Sequence, residues 1–154
     1  MVYRIEVGFK QNIVDTLGER TKTDIYNFLG IDVDQVKTRR VYTLDIELKL
    51  EEFEKVRKEL FVDPIIDEVS DRLPSFNWFM EVGYKPGVTD NVGKTARKAI
   101  QNLLKRKFRE TEKVYTSIQY LIKSAKLSLI EIERIGKELL FVHFIFYFNT
   151  ITYF

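Results

Sequence analysis

The chain has no cysteine among its 154 residues and a single histidine, His143. The first absence excludes disulfide frameworks, thiolate zinc sites and cysteine nucleophiles. The second excludes multi-histidine metal sites and makes a histidine-based triad a poor basis for function, so His143 reads as structural or surface. Long apolar runs are also missing over most of the chain. Met1-Val2-Tyr3-Arg4-Ile5-Glu6-Val7 lacks the apolar core of a signal peptide, and charges recur every few residues as far as Glu138. No stretch of about 20 apolar residues occurs there, and a cytoplasmic protein is expected. What is present is 45% hydrophobic and 31% charged residues, an ordinary globular mixture that excludes disorder and low complexity. The length suits one ordinary domain or two very small ones.

Charge and aromatics are unevenly spread. Residues 1–72 carry 12 Lys/Arg against 16 Asp/Glu, and residues 73–154 carry 13 against 7, so halves of −4 and +6 lie behind the net charge of +2. Residues 139–154 hold no charge and seven of the 21 aromatics. At sixteen residues, interrupted by Asn149, Thr150 and Thr152, this end is too short and too polar for a comfortable membrane span and reads as a buried or edge strand. Unless packed, it is an aggregation hazard.

The sequence is written twice. Glu6-Val7-Gly8-Phe9-Lys10 recurs as Glu81-Val82-Gly83-Tyr84-Lys85, 75 residues on, and Ile13, Asp15, Leu17 and Gly18 meet Val88, Asp90, Val92 and Gly93 at the same offset. Leu17, Thr21, Ile25, Phe28 and Leu29 then fall on Val92, Ala96, Ile100, Leu103 and Leu104, tracing one face of a helix in each copy. Val41-Tyr42-Thr43 matches Val114-Tyr115-Thr116 at an offset of 73, introducing a strand. Phe53, Val56, Leu60 and Phe61 match Ile132, Ile135, Leu139 and Leu140 at 79, a second helix, with Ser128 and Glu131 spaced as a capping box. Gly30 suits a left-handed helix end. Each half thus reads strand-helix-strand-helix-strand, the first ending on Pro64-Ile65-Ile66-Asp67-Glu68-Val69. The expected fold is α+β with antiparallel sheets: one unit over 1–72, a short linker near Pro74, and a second unit over 76–154 whose last strand is aberrant or truncated. Units of this size have marginal cores, so the two are expected to pair as an intrachain pseudo-dimer.

Candidate chemistry is sparse. Gly87-Val88-Thr89-Asp90-Asn91-Val92-Gly93-Lys94-Thr95 follows a strand and opens a helix, as a phosphate-binding loop does. Five residues separate its glycines where four are required, and the first copy has Glu19 in place of the lysine. Turn-and-cap geometry around Asp15 and Asp90 is the better explanation. Lys94, Arg97, Lys98, Lys105, Arg106, Lys107 and Arg109 form a basic cluster. It could meet RNA or nucleotide phosphates, be a solvated helix face, or face the acidic first half or an acidic partner. No aromatic-rich RNA-binding strand accompanies it. Glu51, Glu52 and Glu54, or Asp63 and Asp67, are paired carboxylates with nothing marking them as opposed across a cleft. No catalytic constellation emerges.

Several segments resemble a known family. They are Lys10 with Ile13-Val14-Asp15-Thr16-Leu17-Gly18, Val36-Lys37-Thr38-Arg39-Arg40, and Asp63-Pro64-Ile65-Ile66-Asp67-Glu68. In the second half they are Lys85-Pro86-Gly87-Val88-Thr89-Asp90-Asn91-Val92-Gly93 and Val114 to Leu121. Over about residues 1–140 the chain resembles the small subunit (PurS) of phosphoribosylformylglycinamidine synthase, in tandem as in fusions that precede the synthetase. The resemblance implies a non-catalytic subunit in purine biosynthesis that dimerises, bridges the synthetase and glutaminase subunits, and helps ammonia pass between them. ATP, magnesium and glutamine would be used by those partners, with no cofactor on this chain. Lys10, Asp15, Gly18, Lys85, Asp90 and Gly93 are the candidate structural or partner-contact residues. Thr16 and Asn91 depart from the family's proline, and Val142-His143-Phe144-Ile145-Phe146-Tyr147 replaces the Asp-Pro-Ile-Ile ending, as a frameshift in a longer fused gene would produce. Alternatives are a paired α+β regulatory domain binding a small anionic metabolite at the repeat interface, and an RNA-binding module. Neither a nucleic-acid nor a membrane partner is expected on the first reading.

Overall fold

A computed structural model describes residues 1–69, 75–84 and 87–140. Their order is β1 (Tyr3–Phe9), α1 (Thr16–Leu29), β2 (Gln35–Asp45), α2 (Leu50–Val56), β3 (Asp67–Glu68), β4 (Trp78–Gly83), α3 (Asn91–Leu104), β5 (Lys113–Lys123) and α4 (Leu129–Arg134). Both α2 and α4 run on into a π-helical turn, Arg57–Phe61 and Ile135–Leu139. The class is α+β: the described strands form one antiparallel sheet, ordered β3-β1-β2-β5-β4.

The centre of the sheet is the β2–β5 ladder. Eleven residues of each strand pair, from Gln35↔Lys123 to Asp45↔Lys113, with Arg40 opposite Ile118 at the midpoint. Directly opposed residues share a face. Tyr3, Ile5 and Val7 of β1 therefore lie with Val36 and Leu44 of β2, Val114, Tyr120 and Ile122 of β5, and Met80 of β4 on the side where the helices pack.

Two cores fill the space between sheet and helices, and each draws on both sides of the linker. The first combines Ile5, Val7, Leu44, Ile46, Val56 and Phe61 with Ala96, Ile100, Phe108 and Val114. The second combines Ile25, Ile31, Val33 and Val36 with Met80, Tyr120, Ile122, Leu127, Ile132 and Ile135. Helix α1 thus packs on β2 of its own half and against the π-helical turn after α4, while α3 packs on β5 of its own half and against α2. Periodicity correctly places Thr21 and Ile25, with Ala96 and Ile100, on the inner face. It overreaches at Leu17, Phe28 and Val92, which are exposed.

Helix ends follow their sequence signals. Gly30 closes α1 at φ +67°, where only glycine is unstrained, and Ser128 with Glu131 forms the expected capping box of α4. The offset of 79 between α2 and α4 holds, and Glu52 accepts from the Lys49 N–H at 2.8 Å as Glu131 does from Ser128, although Lys49 offers no side-chain acceptor to complete a capping box. The strand offset of 73 does not. Asp15 bonds Thr38, and Asp90 bonds Thr116, so the equivalent of Val36-Lys37-Thr38 is Val114-Tyr115-Thr116, 78 residues on. Local string similarity loses here to a tertiary hydrogen bond. The third strand of the first half shrinks from the expected Pro64–Val69 to Asp67–Glu68. Its expected counterpart over 142–147, the linker around Pro74, and His143 lie outside the described residues.

Candidate functional site

Three arrangements bring charged side chains together. The first is a latch that occurs twice, where a flanking strand leaves the ladder. In the first half Asp15 is the N-cap of α1. Its carboxylate accepts from Gly18 N at 2.8 Å, and from Thr38 N at 2.5 Å and Thr38 Oγ1 at 2.9 Å. One side chain thereby caps the helix and supplies the buried strand with the acceptor that β1 no longer offers. Gly18 is required by this closeness, since a Cβ there would stand 2.5 Å from the Val36 carbonyl oxygen. In the second half Asp90 accepts from Gly93 N at 2.7 Å, and from Thr116 N at 2.6 Å and Thr116 Oγ1 at 2.9 Å, and a Cβ on Gly93 would strike the Val114 carbonyl. Asp90 therefore occupies the amides that a phosphate would need, and Lys94 points to solvent. The loop is a cap.

The second arrangement surrounds Lys10. Its ammonium donates to the Pro64 carbonyl and its backbone N–H donates to Ile66 O at 3.0 Å. Asp67, almost wholly buried, pairs with Arg40 at 2.5 Å and accepts from Asp63 N at 2.9 Å, while Asp63 accepts from Ile65 N at 2.8 Å. The Asp-Pro-Ile-Ile-Asp segment is thus a self-bonded turn fastened to β1 and β2. Beside it the β1–α1 loop and β2 enclose a cleft of about 720 Å³, lined by Lys10, Lys37 and Arg39 and also by Asp15, Glu19 and Glu68. Lys85, the counterpart of Lys10, lies outside the described residues.

The third arrangement covers the sheet face opposite the helices and is not apparent from sequence. Arg4 on β1 reaches Glu81 on β4 at 2.8 Å and Glu6 at 3.0 Å. Gln119 donates to both Glu6, at 3.1 Å, and Glu81, at 3.2 Å. Ser117 donates to Glu81 at 2.6 Å, and buried Arg39 lies 3.5 Å from Glu6. The lattice joins four strands across the β2–β5 ladder above Val41, which is 1% exposed. The recurrence of Glu6 at Glu81 is its one sequence trace.

Glu81 makes the lattice sensitive to acid. Burial alone would raise its pKa, but hydrogen bonds from Arg4, Ser117 and Gln119 and the Arg4 charge outweigh this and hold it below the ordinary 4.5. A carboxylate with a depressed pKa contributes stability above its unfolded value and loses it as pH falls through the folded one. The urea midpoint of the wild-type chain is expected to drop more steeply between about pH 5 and about pH 3 than that of Glu81→Gln. Parallel pH profiles for the two would contradict the assignment.

The basic cluster divides. Arg97 donates to the carbonyls of Glu112, Phe108 and Arg109, Arg106 pairs with Glu52, and Arg109 pairs with Glu47 and Glu112. Glu112 in turn accepts from the backbone of Arg109 and Glu47, and these bonds lower its pKa despite burial. Arg106 and Arg109 thus tie the basic half to the acidic half, while Arg97 braces the loop of its own half. The lysines remain in solvent.

Among the described residues no group of three His, Asp or Glu could hold a metal, no buried side-chain polar atom lacks a partner, and no helix is long and apolar enough to cross a membrane. Against this background of satisfied groups, residues 2–74 match the family model for PurS, phosphoribosylformylglycinamidine (FGAM) synthase. The first half of the chain is similar to PurS over this span. The matched span contains β1, α1, β2, α2 and β3, hence the first latch, the Lys10 turn and half of the charged lattice. No curated protein matches the chain.

Proposed function

We propose that the chain is a non-catalytic assembly subunit or domain of phosphoribosylformylglycinamidine synthase, acting in the cytoplasm in purine biosynthesis. Two PurS-like units form a covalent pseudo-dimer that bridges the synthetase and glutaminase parts. The reading is carried by one observation: the PurS match over residues 2–74 sits on a half whose latch, ladder and helix order recur in residues 75–140. The midpoint pairing of Arg40 with Ile118 supports the twofold relation, because these residues are 78 apart, the same offset as Thr38 and Thr116. Linking the units in one chain replaces association by an intramolecular contact at high effective concentration. ATP, magnesium and glutamine chemistry belongs on this reading to the partners.

The metabolite-binding alternative has the cleft beside Lys10, Lys37 and Arg39, where three carboxylates offset the three cations. The RNA-binding alternative loses Arg97, Arg106 and Arg109 to internal bonds. The assembly reading is tested by co-purification of tagged full chain with the synthetase and glutaminase subunits in glutamine and nucleotide. Capture of both subunits together is expected. Failure to retain either would overturn the proposal.

A further inference from the structure

The four lysines of the basic cluster are left with nothing to do inside the chain. Lys94, Lys98, Lys105 and Lys107 are exposed, and among the described residues none has a side-chain hydrogen bond or ion pair. Lys94, Lys98 and Lys105 recur at intervals of four and seven residues, which puts them on one stripe of α3 and its C-cap. The stripe is about 16 Å long at 1.5 Å per residue. Lys94 and Lys98, four residues apart, repel each other and weaken the helix slightly, so this pair does nothing for the fold; only Lys105, at the C-cap, meets a favourable helix dipole.

The twin helix supplies a comparison within the same molecule. At the offset of 75, α1 has Glu19, Thr23 and Gly30 where α3 has Lys94, Lys98 and Lys105. Both helices are 14 residues long, both start on an aspartate cap and both pack inward through Gly, Thr or Ala, and Ile. The same structural task is therefore met without lysine at these three positions. Exposed Val88 and Val92 flank the first turn of α3 and add apolar area beside the charge, as at the rim of a protein contact.

We propose that Lys94, Lys98 and Lys105 form a docking stripe for an acidic protein surface, present once per chain. The proposal rests on the assembly reading above and specifies its geometry: a symmetric pair of units would offer two such faces, and this chain offers one. A carboxylate-rich protein surface fits better than nucleic acid. The arginines suited to bidentate phosphate contact are engaged by Glu47, Glu52, Glu112 and backbone carbonyls, and Phe108, on which Arg97 and Arg106 stack, is buried, leaving no aromatic platform on the stripe for a base.

The test uses the full chain with the synthetase subunit. The variant Lys94→Glu/Lys98→Glu/Lys105→Glu is compared with Lys55→Glu/Lys58→Glu/Lys126→Glu, an equal charge change at exposed lysines elsewhere. Wild type is expected to bind one synthetase per chain, with about tenfold weaker binding in the stripe variant, mostly through slower association, and little change in the control. High salt should bring wild type toward the variant. Unchanged binding by the stripe variant, or two synthetases per chain, would overturn the stripe and leave the assembly reading standing. A wild-type chain that binds no synthetase overturns both. Tighter binding to a single-stranded RNA oligonucleotide, lost in the stripe variant, would overturn the acidic-protein assignment.

Discussion

Residues 1–73 expressed alone are expected to give no cooperatively melting monomer. Removal of the second half strips Ala96, Ile100, Phe108 and Val114 from the first core and leaves Ile25, Ile31, Val33 and Val36 without Met80, Tyr120, Ile122 and Ile132. Fully burying one large apolar side chain contributes roughly 1.5–3 kcal/mol, and a whole domain is stable by only about 5–15 kcal/mol. Losing several such contacts exceeds that margin. The fragment would also expose the eleven-residue edge of β2. Self-pairing about the same midpoint would set Arg40 against Arg40, where the intact chain sets Arg40 against Ile118. Like charges directly opposed destabilise a ladder, so the covalent twin disfavours a homodimer of its own first half. Circular dichroism with sedimentation of the fragment checks this. A sigmoidal melt from a monomeric species would contradict the shared-core account, and Arg40→Ile in the fragment is expected to favour dimers.

The second large effect is at the latch. Asp15→Ala removes a helix cap, worth about 0.5–2 kcal/mol, and strands the amide of buried Thr38, worth about 1–3 kcal/mol. A loss of about 3 kcal/mol is expected, or roughly 6–12 °C in Tm for a chain of this size. Asp90→Ala is expected to cost about the same through Gly93 and Thr116. Asn at either position keeps an acceptor for the cap but not for every donor and should fall between. Urea unfolding of the four variants measures this directly. Losses under about 1 kcal/mol would mean that the carboxylates are not the acceptors these strands depend on.

The latch also marks what could be read from sequence. Asp15 with Gly18, and Asp90 with Gly93, are local pairs three residues apart, and their recurrence at a fixed offset is visible to the eye. The partners Thr38 and Thr116 are 23 and 26 residues away. The nearby Val-Tyr-Thr strings offered a better letter match at the wrong register. Similarly, the 3.6-residue period picks out Ile25 and Ile100 as inward-facing but says nothing of which strands they meet. Only the fold reveals that each helix shares a core with residues of the other half. The charged lattice was hidden for a related reason: Arg4, Glu6, Glu81 and Gln119 look like ordinary solvated residues until antiparallel pairing stacks them on one face. The basic cluster was legible as a cluster, but its division into bonded arginines and free lysines depended on Glu47 and Glu52 arriving from the first half of the chain.

The bridging proposal makes its sharpest distinction between two nitrogen sources. Formation of the amidine by the synthetase and glutaminase subunits can be measured with and without the full chain, first with glutamine and then with ammonium chloride. A non-catalytic bridge predicts at least about a tenfold gain with glutamine, about 1.4 kcal/mol of barrier, and no change with ammonium. No gain with glutamine, or an equal gain with both, would contradict it.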